Sequence, residues 1–440
     1  MVASSLNIEG QEHQEAGAAN WTWLQIFVVA ICTLINALDG MDVLIISFVA
    51  PSMADDWGMS FQSLGIVFSA GLAGMMAGCV LIAPIADSIG RRPVILAALV
   101  MMTVGTIGTG IVDSIGPFVA LRVLTGVGIG TLLASIAALV SEYAPAGKRS
   151  IAIGAFQAGY PIGAVLTGLV AIWAIPRFGW QTTLVGAGLV SAAIIPIAFF
   201  SLPESISFLE SRQPRGALAK VNGLRLRMGL PSLSTLPPRV SASAVPRIGH
   251  LFDHGLWRST LLLWLATFAS FGVLYFVTSW IPKLAVEAGL SSSDALWAGS
   301  TFNLGGFLGA SSIGWLATKR DIGWLIRAYM LLGAVLLLVF SVPMKLALLL
   351  VVVAGMGVAI QGGFSGFYSL AAQMYPAEVR SSGIGWAIGI GRGGSVIGPL
   401  AGGWLLTQDL PLWTVFLAFA VPLAIAGLLA GMVRHRSDLA

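Results

Sequence analysis

Residues 145–154 read PAGKRSIAIG, and residues 376–385 read PAEVRSSGIG. Identical residues fall at matching positions of the two segments, among them Pro145 and Pro376, Arg149 and Arg380, and Gly154 and Gly385. Each segment lies between two long apolar stretches of the chain. A repeat at equivalent places in two halves is typical of membrane proteins that consist of two parallel bundles around a central cavity.

The composition of the chain supports a membrane environment. Of the 440 residues, 57% are hydrophobic and 10% are charged, whereas soluble domains carry about 25% charged residues. The apolar residues form blocks of about 20, long enough to cross a hydrocarbon layer about 30 Å thick. The 54 glycines suit helices that pack closely in a bilayer. We therefore predict an all-α membrane protein, and the net charge of +4 does not indicate a nucleic-acid partner.

The apolar blocks predict twelve transmembrane helices in two pseudo-symmetric bundles of six. The spans are expected at 22–50, 62–84, 93–112, 117–140, 150–173, 180–202, 257–282, 294–317, 323–342, 345–371, 381–405 and 410–434. The corresponding domains are a tail at 1–21, an N-terminal bundle at 22–202, a linker at 203–256, a C-terminal bundle at 257–434 and a tail at 435–440.

Basic residues are distributed unevenly between the two sides of the predicted membrane. The linker and the loops on its side hold most of them, whereas the opposite loops hold only Arg177, Lys283 and Lys345. Because loops rich in lysine and arginine stay in the cytoplasm, both termini are expected there. The expected location is the bacterial inner membrane, and the expected functional unit is a monomer.

Some charged residues fall inside predicted spans, among them Asp39, Asp42, Arg122 and Arg392. A charge at this depth costs several kcal/mol, so it is usually paired or faces a watery cavity. Asp39 and Asp42 share one helix face. Arg122 lies at a similar depth in the fourth span, which predicts a salt bridge to the first span. The alternative interpretation is that these charges only hold helices together.

The histidines limit the routes by which a proton could move through the membrane. All four histidines lie outside the predicted spans, so any proton coupling depends on carboxylates. We predict that Asp39 and Asp42, together with Arg122, take part in proton coupling. Glu142, at the inner end of the fourth span, is a peripheral third carboxylate candidate.

Five short motifs follow one another along the chain. The first span contains Asp39-Gly40-Met41-Asp42, residues 83–92 read APIADSIGRR, and residues 122–130 read RVLTGVGIG. Pro203-Glu204-Ser205 closes the sixth span, and residues 389–394 read GIGRGG. From about residue 20 to residue 435, this pattern resembles the major facilitator superfamily, and within it the aromatic acid:proton symporter family.

The resemblance implies the major facilitator fold and a gate formed by the loop at 83–92. The loop departs from the superfamily pattern at Ala83, where glycine is usual, and at Ser88, where arginine is usual. In an inside-closed state, Asp87 would pair with basic groups such as Arg91 and accept hydrogen bonds from helix N-termini. The gating residues implied are Asp87, Gly90, Arg91, Arg92, Arg149 and Arg380.

Arg392 is the strongest candidate for a substrate anchor, because a guanidinium binds a carboxylate through two parallel hydrogen bonds. The carboxylates of its half of the chain all fall at or beyond the ends of the predicted spans. Other residues could contact a substrate, or could instead pack in the core or bridge helices. These are Asn36, Tyr275, Phe302, Asn303, Gln361, Phe364, Tyr368 and Trp386.

These observations together predict a proton-coupled symporter that imports a small organic acid anion, with an aromatic carboxylate such as benzoate or hydroxybenzoate favoured. A dicarboxylate such as muconate is the alternative, because Arg122 could supply a second cation if the aspartates released it. Sugars fit less well, since their sites do not need Arg392. An enzyme is disfavoured, because the spans contain no histidine and no nucleophile–base or metal motif. No cofactor and no metal are expected.

Overall fold

The computed structural model consists of helices and connecting loops in the residues that it describes. These residues are 21–145, 148–237, 251–252, 256–287, 290–375, 379–408 and 410–433. Most of the predicted N-terminal tail, the C-terminal tail and part of the predicted linker lie outside these ranges.

The helices of the N-terminal half are α1 (Trp23–Trp57), α2 (Phe61–Ala77), α3 (Ala86–Ile89), α4 (Arg91–Thr109), α5 (Ile115–Tyr143) and α6 (Arg149–Ser201). A π-helical turn (Gly78–Ile82) and a 3-10 turn (Ala83–Ile85) join α2 to α3. The linker forms α7 (Ile206–Arg212) and α8 (Ala217–Arg227). The C-terminal half contains α9 (Trp257–Glu287), α10 (Ser292–Leu316), α11 (Ile322–Phe340), α12 (Leu346–Met374), α13 (Arg380–Leu406) and α14 (Leu412–Ala430).

These helices account for twelve membrane spans. In the described part of the chain, 9 helical stretches are long and apolar enough to cross a membrane. One of them belongs to α6, whose 53 residues break at Gly179, where φ is 80°, so α6 contains the fifth and sixth spans. The remaining two spans are α10 and α13, whose glycines and serines lower their hydropathy. The predicted all-α membrane fold is therefore confirmed.

Glycines allow the helices within each half to touch through their backbones. A Cβ atom on Gly163 of α6 would lie 1.9 Å from the Ala37 carbonyl oxygen of α1. In the other half, a Cβ atom on Gly357 of α12 would lie 2.1 Å from the Phe302 carbonyl oxygen of α10. Such contacts favour helix association in lipid, where packing replaces the hydrophobic effect.

The two halves contact each other towards one end of the molecule. We call the end that carries α7 and α8 the linker side and the opposite end the far side. Lys283 Nζ of α9 lies 3.6 Å from Asp55 Oδ1 at the end of α1. A Cβ atom on Gly403 of α13 would lie 2.6 Å from the Phe61 carbonyl oxygen at the start of α2. These contacts close the space between the halves at the far side.

The linker-side ends of the helices that meet at the far side are exposed. Val80 and Leu81, which follow α2, are 59% and 68% exposed, and Ile151 of α6 is 63% exposed. Trp386 of α13 is 44% exposed. We interpret this exposure, together with the contacts at the far side, as an opening of the space between the halves towards the linker side.

Replacement of Gly357 by alanine should destabilise the C-terminal half. The new methyl group would overlap the α10 backbone, and overpacking of this kind costs about 1–3 kcal/mol. We expect a lower thermal unfolding midpoint for purified Gly357→Ala than for the wild type. Gly314→Ala is the matched control, since a Cβ atom there would meet no atom within 4 Å. Equal midpoints for the two variants would show that the close contact does not limit stability.

Candidate functional site

An ion pair is buried between α1 and α5. Arg122 Nη2 lies 3.1 Å from Asp42 Oδ2 and also donates to the Asp42 carbonyl oxygen at 3.3 Å. The Thr106 hydroxyl of α4 donates to the other carboxylate oxygen. Arg122 is 4% exposed and Asp42 is 0% exposed. The salt bridge predicted between the first and fourth spans is therefore present, and Asp42 forms it.

Two glycines bring Arg122 into this position. A Cβ atom on Gly126 would lie 1.9 Å from the Gly71 carbonyl oxygen, so the α2 and α5 backbones touch beside the arginine. A Cβ atom on Gly71 would come within 3.4 Å of Arg122 Nη2. Because the guanidinium is enclosed between helices, it depends on Asp42 for a counter-charge.

A second group of polar side chains lies between the two halves. Asp39 from α1 and Tyr160 from α6 lie within electrostatic reach of Tyr275 from α9 and Arg392 from α13. Tyr368 from α12 also lies near Arg392. We call these five residues the central cluster. Both halves contribute to it, as a site that serves alternating access requires.

Arg392 and Asp39 both have hydrogen-bonding atoms without a protein partner. Arg392 is half-buried, and its side chain has no hydrogen bond or ion pair with any residue that the structure describes. Asp39 is 3% exposed, and its Oδ1 accepts no hydrogen bond within the same ranges. Arg122 and Asp42 are joined by a direct ion pair, whereas no ion pair within the described residues joins Arg392 to Asp39, which leaves both of these groups available to a ligand.

Close contact between α1 and α6 positions Asp39 and Tyr160. A Cβ atom on Gly40 would lie 2.1 Å from the Tyr160 carbonyl oxygen, so only glycine fits beside Asp39. One turn earlier, Asn36 Nδ2 donates to the Phe156 carbonyl oxygen at 2.8 Å. Asn36 thus bridges two helices through its amide nitrogen, and its substrate contact stays a prediction. Tyr160 was not among the residues that the sequence singled out.

Four aromatic rings form a continuous wall next to Arg392. Tyr275 stacks on Phe271 with centroids 6.2 Å apart, and Phe271 meets Phe364 at 4.6 Å. Phe364 in turn meets Tyr368 at 5.8 Å. The chain of contacts therefore joins two residues of the central cluster through two phenylalanines. Sequence reasoning had not selected Phe271 as part of this wall.

The other predicted substrate contacts have neighbours within the C-terminal half. Asn303 Nδ2 donates to the Gly299 carbonyl oxygen of its own helix at 3.0 Å. Gln361 Nε2 donates to the Phe302 carbonyl oxygen at 3.4 Å, and Phe302 is 1% exposed. The ring of Trp386 lies 6.1 Å from that of Trp264. Their contact with a substrate stays a prediction.

Glu142 lies at the linker side, away from Asp42. It forms an ion pair with Arg91 and accepts a hydrogen bond from the Ser205 hydroxyl at 2.8 Å. The structure thus joins Glu142 to the predicted gating residues, whereas the sequence grouped it with Asp39 and Asp42. The reason is geometric, because α5 ends at the linker side, beside the loop that carries Arg91.

Glu204 also belongs to this network around Arg91. Sequence reasoning had assigned it no role in the gate. Its Oε1 accepts hydrogen bonds from the backbone N–H groups of Arg91 at 2.8 Å and Arg92 at 3.2 Å, which caps α4. Gly90 precedes the helix with φ at 106°, and a Cβ atom there would lie 2.4 Å from Glu204 Oε2. Glycine at position 90 is therefore required by both conformation and space.

Asp87 is exposed in this conformation. Its side chain is 75% exposed and lies 3.8 Å from Arg91. Arg212 of α7 donates to the Asp87 carbonyl oxygen at 3.0 Å and lies 3.4 Å from the Ser88 hydroxyl. Arg212 of the linker thus places a cation beside Ser88, the position where the superfamily usually has an arginine. Of the remaining predicted gating residues, Arg149 is exposed, and the Arg380 side chain lies outside the described residues.

The sequence of this chain matches a family model along most of its length. Residues 32–387 match the model of the Major Facilitator Superfamily. The chain belongs to the Major Facilitator Superfamily. A gallate transporter of Pseudomonas putida is 33% identical over 93% of this chain and 91% of its own length. The 4-hydroxybenzoate transporter PcaK of Pseudomonas aeruginosa is 32% identical over 93% of each chain. The resemblance to the aromatic acid:proton symporter family is thereby confirmed.

Solved structures agree on the fold. An inward-facing, occupied bacterial homolog of the human lysosomal transporter Spinster gives a TM-score of 0.74 over 94% of this chain and 97% of that one, at 16% identity. The inward-open xylose transporter XylE of E. coli gives a TM-score of 0.68 over 92% and 95%, at 18% identity. At these identities the likeness shows the major facilitator fold of this multi-pass bacterial membrane protein.

Removal of one partner from the buried ion pair should lower the stability of the folded protein. Arg122→Leu leaves Asp42 without its counter-charge, and loss of one member of a buried pair costs about 3–5 kcal/mol. We expect a marked fall in the thermal unfolding midpoint, which the double variant Arg122→Leu/Asp42→Asn should largely restore. Arg177→Leu, which removes an exposed arginine, is the control. If the double variant were less stable than Arg122→Leu, the arginine would stabilise α5 independently of Asp42.

Proposed function

We propose that this member of the Major Facilitator Superfamily is a proton-coupled symporter that imports an aromatic carboxylate by alternating access. The carboxylate binds Arg392, and the ring lies against the aromatic wall of Tyr275, Phe271, Phe364 and Tyr368. Benzoates and hydroxybenzoates are the substrates of first choice. The chain acts as a monomer in the bacterial inner membrane, with both termini in the cytoplasm.

The unpaired guanidinium of Arg392 is the observation that carries this proposal. It is half-buried between the two halves, and it neither donates a hydrogen bond to a described residue nor forms an ion pair with one. An arginine at this depth that lacks a counter-charge costs several kcal/mol, so binding of an anion is favoured. A flat aromatic ring fits the adjacent wall, because offset and edge-on ring contacts are favourable.

The names of the relatives support an aromatic substrate. Proteins named for gallate and 4-hydroxybenzoate are 33% and 32% identical to this chain. A benzoate transport protein of Acinetobacter baylyi is 30% identical over 90% of this chain and 86% of its own length. The compounds in these three names share one carboxylate on one aromatic ring, which matches one arginine beside one aromatic wall.

Asp39 provides a physical reason for coupling to protons. When Asp39 is ionised and no substrate is bound, its carboxylate balances the Arg392 charge across the site. A substrate carboxylate that binds Arg392 leaves Asp39 buried without a counter-charge, which favours its protonation. The site then carries the same net charge with proton and substrate bound as it does empty. Binding of the anion and binding of the proton thus favour each other.

The direction of opening fits the release step of import. The far side is closed and the space between the halves opens towards the linker side, which the basic loops assign to the cytoplasm. We therefore infer an inward-open state. Asp87 is exposed in this state. When the linker side closes, we expect its carboxylate to accept hydrogen bonds from a helix N-terminus.

A dicarboxylate is a weaker candidate than a monocarboxylate. A second carboxylate would need a second cation, and Arg122 is the nearest candidate in the other half. In this structure Arg122 is held by Asp42 at 3.1 Å. A dicarboxylate would therefore have to break a buried ion pair in order to bind.

Arg392→Ala should abolish binding of the acid while the protein remains folded. The measurement is the thermal stabilisation of purified protein by 4-hydroxybenzoate and by benzoate. Arg392→Lys should retain a reduced shift, since a point charge replaces a planar fork. Arg258→Ala, which removes an exposed arginine at the start of α9, should keep the wild-type shift. A wild-type shift in Arg392→Ala would place the anion elsewhere, with Arg122 as the next candidate.

Asp39→Asn should abolish accumulation of the acid driven by a pH gradient, because an amide cannot take up and release a proton at this site. Exchange of labelled for unlabelled acid across the membrane needs no net proton movement and should persist. Both are measured in proteoliposomes, with Asp113→Asn, an exposed loop carboxylate, as the matched control. Proton-driven accumulation at the wild-type level in Asp39→Asn would refute the role of this carboxylate.

A further inference from the structure

A chamber between the two halves lies next to the buried ion pair. The atom-free space in and around it is about 380 Å³, which includes open solvent at its mouth. Its walls come from α1, α2, α5 and α9, and most of its lining is apolar. Three residues add polar groups to this lining, namely Arg122, Tyr275 and Ser279.

Several polar atoms around the chamber have no hydrogen-bond partner among the described residues. Arg122 Nε and Nη1 are buried and donate to no atom of the described residues. The hydroxyls of Tyr275 and Ser279 form no hydrogen bond within the same part of the chain, although Ser279 is only 8% exposed. Buried polar groups almost always have a partner, which is often an ordered water molecule. Two donors and two hydroxyls around one chamber are a suitable set of partners for water.

The chamber also connects the two functional parts of the site. Tyr275 and Ser279 are four residues apart on α9, so both project from one face of that helix. Tyr275 belongs to the central cluster, whereas Arg122 belongs to the ion pair with Asp42. The side of α9 that faces the chamber therefore links the proposed substrate site to the ion pair.

We propose that the chamber holds water that hydrogen-bonds to Arg122 and Ser279, and that Ser279 is a positioning residue for proton coupling. This inference rests on the proposed function. When Asp42 takes up a proton, Arg122 loses the charge that balances it. Water held by Ser279 and Tyr275 then offers oxygen acceptors to the guanidinium. The water lowers the cost of separating the ion pair and so makes protonation of Asp42 easier.

The surroundings of Asp42 make the expected pH effect specific. Arg122 approaches it from α5, and Thr106 donates to it from α4. Further titratable or charged groups lie on its own helix and on the elements around the central cluster, namely Asp39, Tyr160, Tyr275 and Arg392. Substitution of Ser279 alters none of these groups, so a shift in pH dependence would report on the water.

The test uses the full-length protein and replaces Ser279 in three ways. Ser279→Leu fills the chamber, Ser279→Ala removes one oxygen, and Ser279→Thr keeps the hydroxyl. For Ser279→Leu we expect half-maximal proton-driven uptake of 4-hydroxybenzoate to move about one pH unit to the acid side, equivalent to about a tenfold higher proton concentration. Ser279→Ala should shift less, and Ser279→Thr should resemble the wild type. Thermal stabilisation by the acid should remain in all three.

Ser270→Ala is the matched control, because Ser270 lies on the same helix and its hydroxyl contacts Met330 Sδ at 3.9 Å instead of the chamber. A wild-type pH profile in Ser279→Leu would overturn the proposal. So would an equal loss of binding and uptake without a shift in the profile, since that pattern indicates distortion of the substrate site.

A high-resolution structure of the wild type tests the chamber independently of any substrate. We expect a water oxygen at hydrogen-bond distance, about 2.7–3.2 Å, from both Ser279 Oγ and an Arg122 nitrogen. A dry chamber would refute the proposal even if the protein transports aromatic acids. Failure of the wild type to bind or transport any aromatic acid, with water present in the chamber, would instead refute the proposed substrate.

Discussion

A charge inside a bilayer must have a counter-charge or a watery cavity, and the central residues of this protein follow that constraint. Two arginines and two aspartates near the middle of the molecule form two pairs whose contacts differ. Arg122 and Asp42 form a closed pair 3.1 Å apart. Arg392 lies within electrostatic reach of Asp39, but no described residue forms a hydrogen bond or ion pair with its side chain. The first pair is in direct contact, and the second leaves a place for an anion.

The rest of the fold keeps these charges at their depths. Glycines at the backbone contacts of α1 with α6 and of α2 with α5 fix Asp39 and Arg122 between helices. Closure at the far side brings the central cluster together from both halves, while the exposed linker-side ends leave a route out. A carrier needs both properties, because its site must be formed by two bodies that can separate on either side in turn.

Sequence reasoning located the features that depend on the membrane itself. Apolar length predicted the spans, and depth along two helices predicted that Arg122 would meet the first span. The residues that it missed depend on how helices rotate and end. Nothing in the local sequence distinguishes Phe271 and Tyr160 from other residues of the apolar spans. They face Arg392 because of the way α9 and α6 are rotated. Glu204 and Glu142 contact Arg91 only because a loop and two helix ends converge, which no local pattern records.

The central claim is that the substrate carboxylate takes the place of Asp39 as the counter-charge of Arg392, so that Asp39 becomes protonated. Calorimetric titration of purified protein with 4-hydroxybenzoate, in buffers of different ionisation enthalpy, counts the protons taken up on binding. We expect an uptake approaching about one proton per bound acid in the wild type at a pH where Asp39 is ionised before binding, and none in Asp39→Asn. Binding without proton uptake in the wild type across the accessible pH range would contradict this exchange of partners.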